Sequence, residues 1–209
     1  MAALSNPALI HARHVPPQRW RNGGGTTREL ITWPAGAQHW QLRISLAQIE
    51  QDGPFSAFPG VERWFTVIAG AGVRLHIACR VACREHRLEP GTAPLRFDGA
   101  LPVHCTLIHG ATTDLNLMYA GGSGVMQLVQ PGTSWVSALP QRGVFTRTAG
   151  QCRAGGVGLI ALPAHCLLWI AEADAAAWSF HVDDAGSPEA AFPAVWLGFE
   201  PAGAPAPNS

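Results

Sequence analysis

Apolar and polar residues alternate with a period of two through the first 120 residues. The clearest run is 40–47 (WQLRISLA), with Trp40, Leu42, Ile44 and Leu46 on one face and Gln41, Arg43 and Ser45 on the other. Such a segment predicts a strand with one apolar and one polar face. Similar runs occur at 26–33, 64–69, 73–78, 103–108 and 113–119, separated by turn-forming stretches such as DGPFSAFPG, EPGTAP and FDGALP. Strands spaced near ten residues apart predict an antiparallel sandwich or barrel, so the expected fold class is all-β.

The cluster Gly121-Gly122-Ser123-Gly124 is the one seam in the chain, and weaker strand signals follow it at 125–130, 134–138, 156–162, 166–171, 177–182 and 194–199. The expected organisation is a β unit over 1–120, a second over 121–200 and a loose tail over 201–209. Residues 171–178 (AEADAAAW) form the best helical candidate. The apolar stretch 154–171 is about as long as a membrane span, but Pro163 and His165 break its centre. Two buried strands joined at Pro163-Ala164 fit it better, so no membrane partner is expected.

Composition narrows the functional classes. The 209 residues include 14 Arg, no Lys and 14 acidic side chains, and only 13% of residues are charged, about half the usual ~25%. This balance argues against a disordered polyelectrolyte and against a general nucleic-acid binder. Without lysine, Schiff-base catalysis by a lysine amine is excluded, and every fixed side-chain cation is a planar guanidinium. The 17 Pro and 23 Gly favour short elements joined by tight turns. Five cysteines, Cys79, Cys83, Cys105, Cys152 and Cys166, lack the spacing of a secreted scaffold. Reduced thiols and a cytoplasmic location are expected, and the first residues do not read as a signal peptide.

Four segments carry candidate chemistry. In 20–30 (WRNGGGTTREL), three glycines after Asn22 let backbone N–H groups approach a ligand, or they serve only to reverse the chain. A phosphate loop does not fit, because no Lys-Ser/Thr follows the glycines and the next segment alternates as a strand. In 52–65, Phe55 and Phe58 offer apolar walls, and Arg63 stands where an apolar strand begins. Arg63 either pairs with a carboxylate such as Glu62 or Glu29 or awaits an anion, and Arg43 poses the same question. Asp114 and Asn116 share a strand face; they satisfy turn backbone, or Asp114 pairs with Arg43 or Arg63. Finally, His76, Cys79, Cys83 and His86 are potential zinc ligands at a spacing that matches no standard knuckle.

Taken together, WRNGGGTTREL (20–30), WQLRISLAQIEQDGPFSAFPGVERW (40–64), FDGALPVHC (97–105) and DLNLM (114–118) resemble the HutD/Ves family of bicupin proteins. The resemblance is strong over residues 10–120. It implies two cupin-like β-barrels in one chain and a place in bacterial histidine utilisation. HutD-like members are regarded as regulators that bind a pathway intermediate, formylglutamate or urocanate, with no established reaction. Arg63 matches the family's pocket arginine for a carboxylate, and Trp20, Asn22, Gly23 and Thr26 lie on its signature loop. Arg43, Ser45 and Phe55 lie on matching motifs. Neither half carries the H-x-H…E…H set of metal-dependent cupins, so no cofactor and no metal is expected.

The residues and the resemblance meet on one hypothesis. Arg63 holds one carboxylate of a small anionic metabolite, Arg43 or Asn22 receives its other polar end, and Phe55 with Trp20 closes the pocket. Alternative functions are a metal-independent isomerase or lyase, with Glu29 or a histidine as base, and a Ves-like stress role. A homodimer is expected if an apolar sheet is exposed.

Overall fold

The alternating segments form strands: those over 42–49, 62–69 and 112–119 are covered on both faces, whereas those over 73–78 and 103–107 leave one face open. The protein is described by a computed structural model over residues 7–37, 39–78 and 83–203. In chain order the first part comprises β1 (Ala8–His11), β2 (Gln18–Arg19), β3 (Gly25–Trp33), β4 (Leu42–Ile49), β5 (Gly53–Pro54), β6 (Glu62–Ala69), β7 (Val73–Ala78), β8 (Cys83–Leu88), β9 (Leu95–Asp98), β10 (Val103–Leu107) and β11 (Thr112–Tyr119). The second comprises β12 (Ser123–Leu128), β13 (Ser134–Trp135), β14 (Gln141–Thr146), β15 (Gly150–Ala154), β16 (Leu159–Leu162), β17 (Cys166–Ile170), β18 (Trp178–Val182) and β19 (Ala194–Glu200). Three short 3-10 turns are the helical elements among the described residues.

Four antiparallel sheets result. The first part builds a six-stranded sheet, β2-β3-β4-β11-β6-β9, faced by the four-stranded β5-β10-β7-β8. The second builds β1-β17-β14-β19-β12, faced by β13-β18-β15-β16. The two halves repeat one plan: β4-β11-β6-β9 corresponds to β12-β19-β14-β17, and β5-β10-β7-β8 to β13-β18-β15-β16. Strand β1 lies early in the chain but pairs with β17, so residues 8–11 belong by pairing to the second half's sheet.

Three cores hold the layers together. Leu42, Ile44, Leu115 and Leu117 of the six-stranded sheet pack against Leu167, Trp169, Leu197 and Phe199 of the five-stranded one, forming a core between the halves. Phe65, Val67, Leu75, Ile77 and Val103 fill the first half, and Val144, Trp178, Phe180 and Trp196 the second. Polar ties cross between the halves as well. The Arg147 guanidinium donates from Nε to the Ile68 carbonyl at 2.7 Å and from Nη1 to the Phe192 carbonyl at 2.6 Å. The Trp64 indole donates to the Gly124 carbonyl at 3.0 Å.

Two expectations need correction. Residues 171–178 are not helical, because the Asp174 carboxylate accepts from the Ala176 and Gly156 N–H groups, at 3.1 and 2.7 Å, and fixes an irregular loop. The strand expected over 156–162 starts only at Leu159, after a 3-10 turn over Gly155–Val157. The apolar stretch contains the fully buried β17, and no helix among the described residues is long and apolar enough to cross a membrane. Residues 204–209 of the expected tail lie outside the described residues.

Candidate functional site

The polar face of β4 does not look out on solvent. Leu42, Ile44 and Leu46 point into the core between the halves, which turns Arg43, Ser45 and Ala47 inward, toward the space enclosed by the first half's two sheets. On the neighbouring β11, Asn116 and Met118 lie directly opposite Ser45 and Arg43. On β6, Arg63 lies opposite Met118. These residues line a cavity of about 670 Å³, a volume suited to a small metabolite. Four arginines, Arg19, Arg21, Arg43 and Arg63, line it, and no Asp, Glu or His does among the described residues.

Arg63 is the central side chain. It is 8% exposed, and its Nε and Nη2 both donate to the Asn116 Oδ1, at 2.9 and 2.7 Å. Its guanidinium carbon sits 4.3 Å from the centre of the Phe55 ring and 5.5 Å from that of Phe97. No carboxylate lies within salt-bridge distance of it among the described residues, since Glu62 pairs with Arg96 and Glu29 with Arg43, each at 2.9 Å. Burial lowers the Arg63 pKa to about 10, offset in part by the field of Asp114, so the group stays charged at neutral pH. A buried guanidinium held by an amide oxygen keeps its full charge and leaves Nη1 free of protein partners among the described residues.

Asp114 is buried beside this site without touching it. The Thr112 hydroxyl donates to its Oδ2 at 2.9 Å, and its Oδ1 is buried without a partner among the described residues. Burial pushes its pKa up to about 8, against the weaker lowering effects of the Thr112 hydrogen bond and the Arg63 charge. The carboxyl is therefore neutral at pH 7 and does not cancel the charge of Arg63. Burial also pushes the nearby Cys105 thiol up to about 12, which leaves it inert.

The glycine loop is a hairpin turn with one face on the cavity. The Asn22 Oδ1 accepts from the Gly24 N–H at 3.0 Å, and Gly23 adopts a φ of +73°. Gly25 lies so close to β4 that a Cβ there would collide with the Gln48 carbonyl oxygen. Gly25→Ala is expected to destabilise the fold by about 2–4 kcal/mol, measurable as a lowered urea midpoint with an unchanged m-value. The Trp20 indole donates to the Thr27 hydroxyl at 2.8 Å, pinning the ring at the cavity wall.

The chain resembles known proteins over most of its length. The HutD family model matches residues 12–187. This chain belongs to the HutD family. A protein from the hutC 3′ region of Pseudomonas putida is 37% identical over 118 residues, 56% of this chain and 60% of that protein. Protein Ves of Citrobacter koseri is 39% identical over 107 residues, 51% of this chain and 54% of that protein. The chain thus spans little more than half the length of the curated relatives it matches. HutD from Pseudomonas fluorescens SBW25, in a formate condition, superposes with a TM-score of 0.76 at 26% identity, covering 94% of this chain and 100% of that one. Oxalate decarboxylase of Lactobacillus farciminis shares the fold alone, with a TM-score of 0.62 at 10% identity over 96% of this chain and 88% of that one. The fold of this HutD-family chain is accordingly all-β and cupin-like.

Of the residues singled out in the sequence, Trp20, Asn22, Arg43, Ser45, Phe55 and Arg63 line the cavity, whereas Gly23 and Thr26 do not. Alternation along β3 turns Thr26 away and brings Thr27 to the wall. Phe58, read from the sequence as an apolar wall, lines the cavity too, whereas sequence reasoning missed Gln18, Arg19, Arg21 and Ser56. Arg19 and Arg21 flank Trp20 on the hairpin, a placement that the cluster of large side chains before the glycines could have signalled. No group of three or more His, Cys, Asp or Glu side chains suited to a metal ion occurs among the described residues. Cys79 of the zinc reading lies outside them, and His76 instead faces Glu85 at 3.7 Å.

Proposed function

We propose that this HutD-family chain is a bicupin whose first barrel, built mainly from residues up to 120, binds a small dicarboxylate of histidine breakdown, formylglutamate in preference to urocanate, as a regulatory ligand. The observation that carries this reading is the buried Arg63, charged, stacked on Phe55 and, among the described residues, without a carboxylate partner, in a cavity that these residues line with arginines and with no acid. Asn116 occupies the Nε–Nη2 edge of Arg63, so a ligand carboxylate would use Nη1 and the outer side of Nη2. Arg43 is held through Nε by Glu29 and keeps both terminal nitrogens for the second carboxylate. The Asn22 Nδ2, Ser45 and Ser56 supply neutral donors, and Trp20 and Phe55 supply apolar walls.

A dicarboxylate matches two fixed guanidinium groups better than a monocarboxylate with an imidazole does, which favours formylglutamate. With formylglutamate in large excess over its dissociation constant, thermal unfolding is expected to shift upward by about 5 °C or more, and urocanate by less. Neither compound should change in mass on incubation. Disappearance of either from the mixture by mass spectrometry would replace the regulator reading with an enzymatic one. An unaltered midpoint with both would favour the Ves-like reading. The regulator reading places the chain in the bacterial cytoplasm.

A further inference from the structure

The two halves share a plan, and the plan aligns individual positions. Arg63 is the second residue of β6, and Arg142 is the second residue of its counterpart β14. Arg63 lies opposite Met118 of β11 and Phe97 of β9; Arg142 lies opposite Gly198 of β19 and Ile170 of β17, the corresponding strands. Each arginine also shares the inward face of its strand, Arg63 with Phe65 and Val67 and Arg142 with Val144. By the same registers Trp196 stands where the first half has Asn116, and Val125 where it has Arg43.

The surroundings of the two arginines then diverge in one respect. Trp135, Trp178 and Trp196 fill the second half, their ring centres 5.3 to 6.2 Å apart, and Arg142 lies 5.1 Å from the Trp178 ring centre, itself fully buried. Where Arg63 meets no carboxylate among the described residues, Arg142 meets one supplied by the chain. Its Nη2 faces the Asp174 Oδ1 at 3.4 Å and its Nη1 donates to the Ala176 carbonyl at 3.0 Å, both from the loop between β17 and β18. The Asp174 side chain is half exposed, so this carboxylate approaches from the solvent side, as a ligand would. Beside this pair the Arg142 Nε and the Trp178 indole N–H are buried without a partner among the described residues.

We propose that the second half holds a carboxylate site equivalent to that of Arg63 but occupied by the chain's own Asp174, and that removing this side chain opens it to formate. The ligand class follows from space. Replacing Asp174 by alanine keeps the Cβ and vacates one carboxylate, which formate matches in charge and size. The site is self-occupied in the native chain, so a soluble carboxylate does not bind there. This inference does not rest on the function proposed for the first barrel, because its test removes that site.

The test uses full-length protein carrying Arg63→Ala throughout. In this background formate is expected to move the thermal midpoint no more than chloride at equal ionic strength. Adding Asp174→Ala should lower the midpoint by about 4 °C or more, and formate, not chloride, should restore it saturably. A further Arg142→Met should abolish that rescue. Should the alanine variant not fold, Asp174→Ser keeps a hydroxyl acceptor for one of the Gly156 and Ala176 N–H groups and still vacates the carboxylate; it is expected to show the same loss and a formate response that Arg142→Met removes. Absence of a formate response in the folded Asp174 variant, or an equal response when Arg142 is replaced, overturns the proposal.

Discussion

Arg63→Ala is expected to weaken formylglutamate binding by about 2–4 kcal/mol, a loss of roughly 30- to 1000-fold in affinity, without destabilising the free protein. The two halves of this expectation have one cause. In the free protein the guanidinium is desolvated, is held by the neutral Asn116 oxygen, and lies in the field of a second guanidinium, Arg43, which lowers its pKa further. Taking a charge out of water into such a place costs free energy that a single amide oxygen recovers only in part. Losing Arg63 therefore removes a strained contribution from the free protein and the principal attraction from the complex. Isothermal calorimetry reads the loss of attraction, and thermal unfolding without ligand reads the stability of the free protein. A residue placed for structure would show the opposite pattern: Arg63→Ala would lower the unfolding midpoint and leave the binding constant near its original value. Arg63→Met separates charge from volume, since it refills most of the side-chain space; binding should stay lost.

The contrast with Arg142 shows why a sequence exposes one site and hides the other. Arg63 follows a loop rich in Pro and Phe and opens a clear apolar strand, so its candidacy for an anion is legible. Arg142 opens Gln141–Thr146, a strand buried at all six positions whose sequence, QRGVFT, neither alternates nor runs apolar, and no period betrays it. The same blindness hid β8, CREHRL, a largely exposed edge strand whose charges follow from its position in the sheet. Strand β4 illustrates the reverse error. Its alternation is plain, yet period two says only that the faces differ, not that the polar one meets water. Here that face is Arg43, Ser45 and Ala47 on the cavity, and Ser45 is 3% exposed. The partner of Arg63 was equally open, because Asp114 and Asn116 project on one side of β11. Depth decides between them: Asn116 reaches the guanidinium, and Asp114 lies below it with Thr112.

Asp114→Asn is expected to change the pH dependence of both stability and binding, with opposite signs at the two ends of the range. In the folded chain burial raises the Asp114 pKa from 3.8 to about 8. Between those values the folded protein holds a proton that the unfolded chain has released, so stability falls as pH rises. For this group alone the slope is on the order of 1.4 kcal/mol per pH unit. An asparagine does not titrate, so the variant should lose this contribution to the slope. Near pH 4 the variant should be the less stable protein, because its amide adds a buried donor where Oδ1 already lacked a partner; near pH 8 it should be the more stable one. Urea unfolding at pH 5, 6, 7 and 8 measures the crossing, and parallel curves would show that Asp114 is ionised throughout. Binding follows the same proton. Below about pH 8 the neutral carboxyl leaves Arg63 to attract an anion, whereas above it the new carboxylate sets an internal negative charge against the ligand. Affinity for formylglutamate should fall with pH above 8 in the native chain and stay level in the variant. On this expectation the buried aspartate gives anion binding at Arg63 its pH dependence through a group that never touches the ligand.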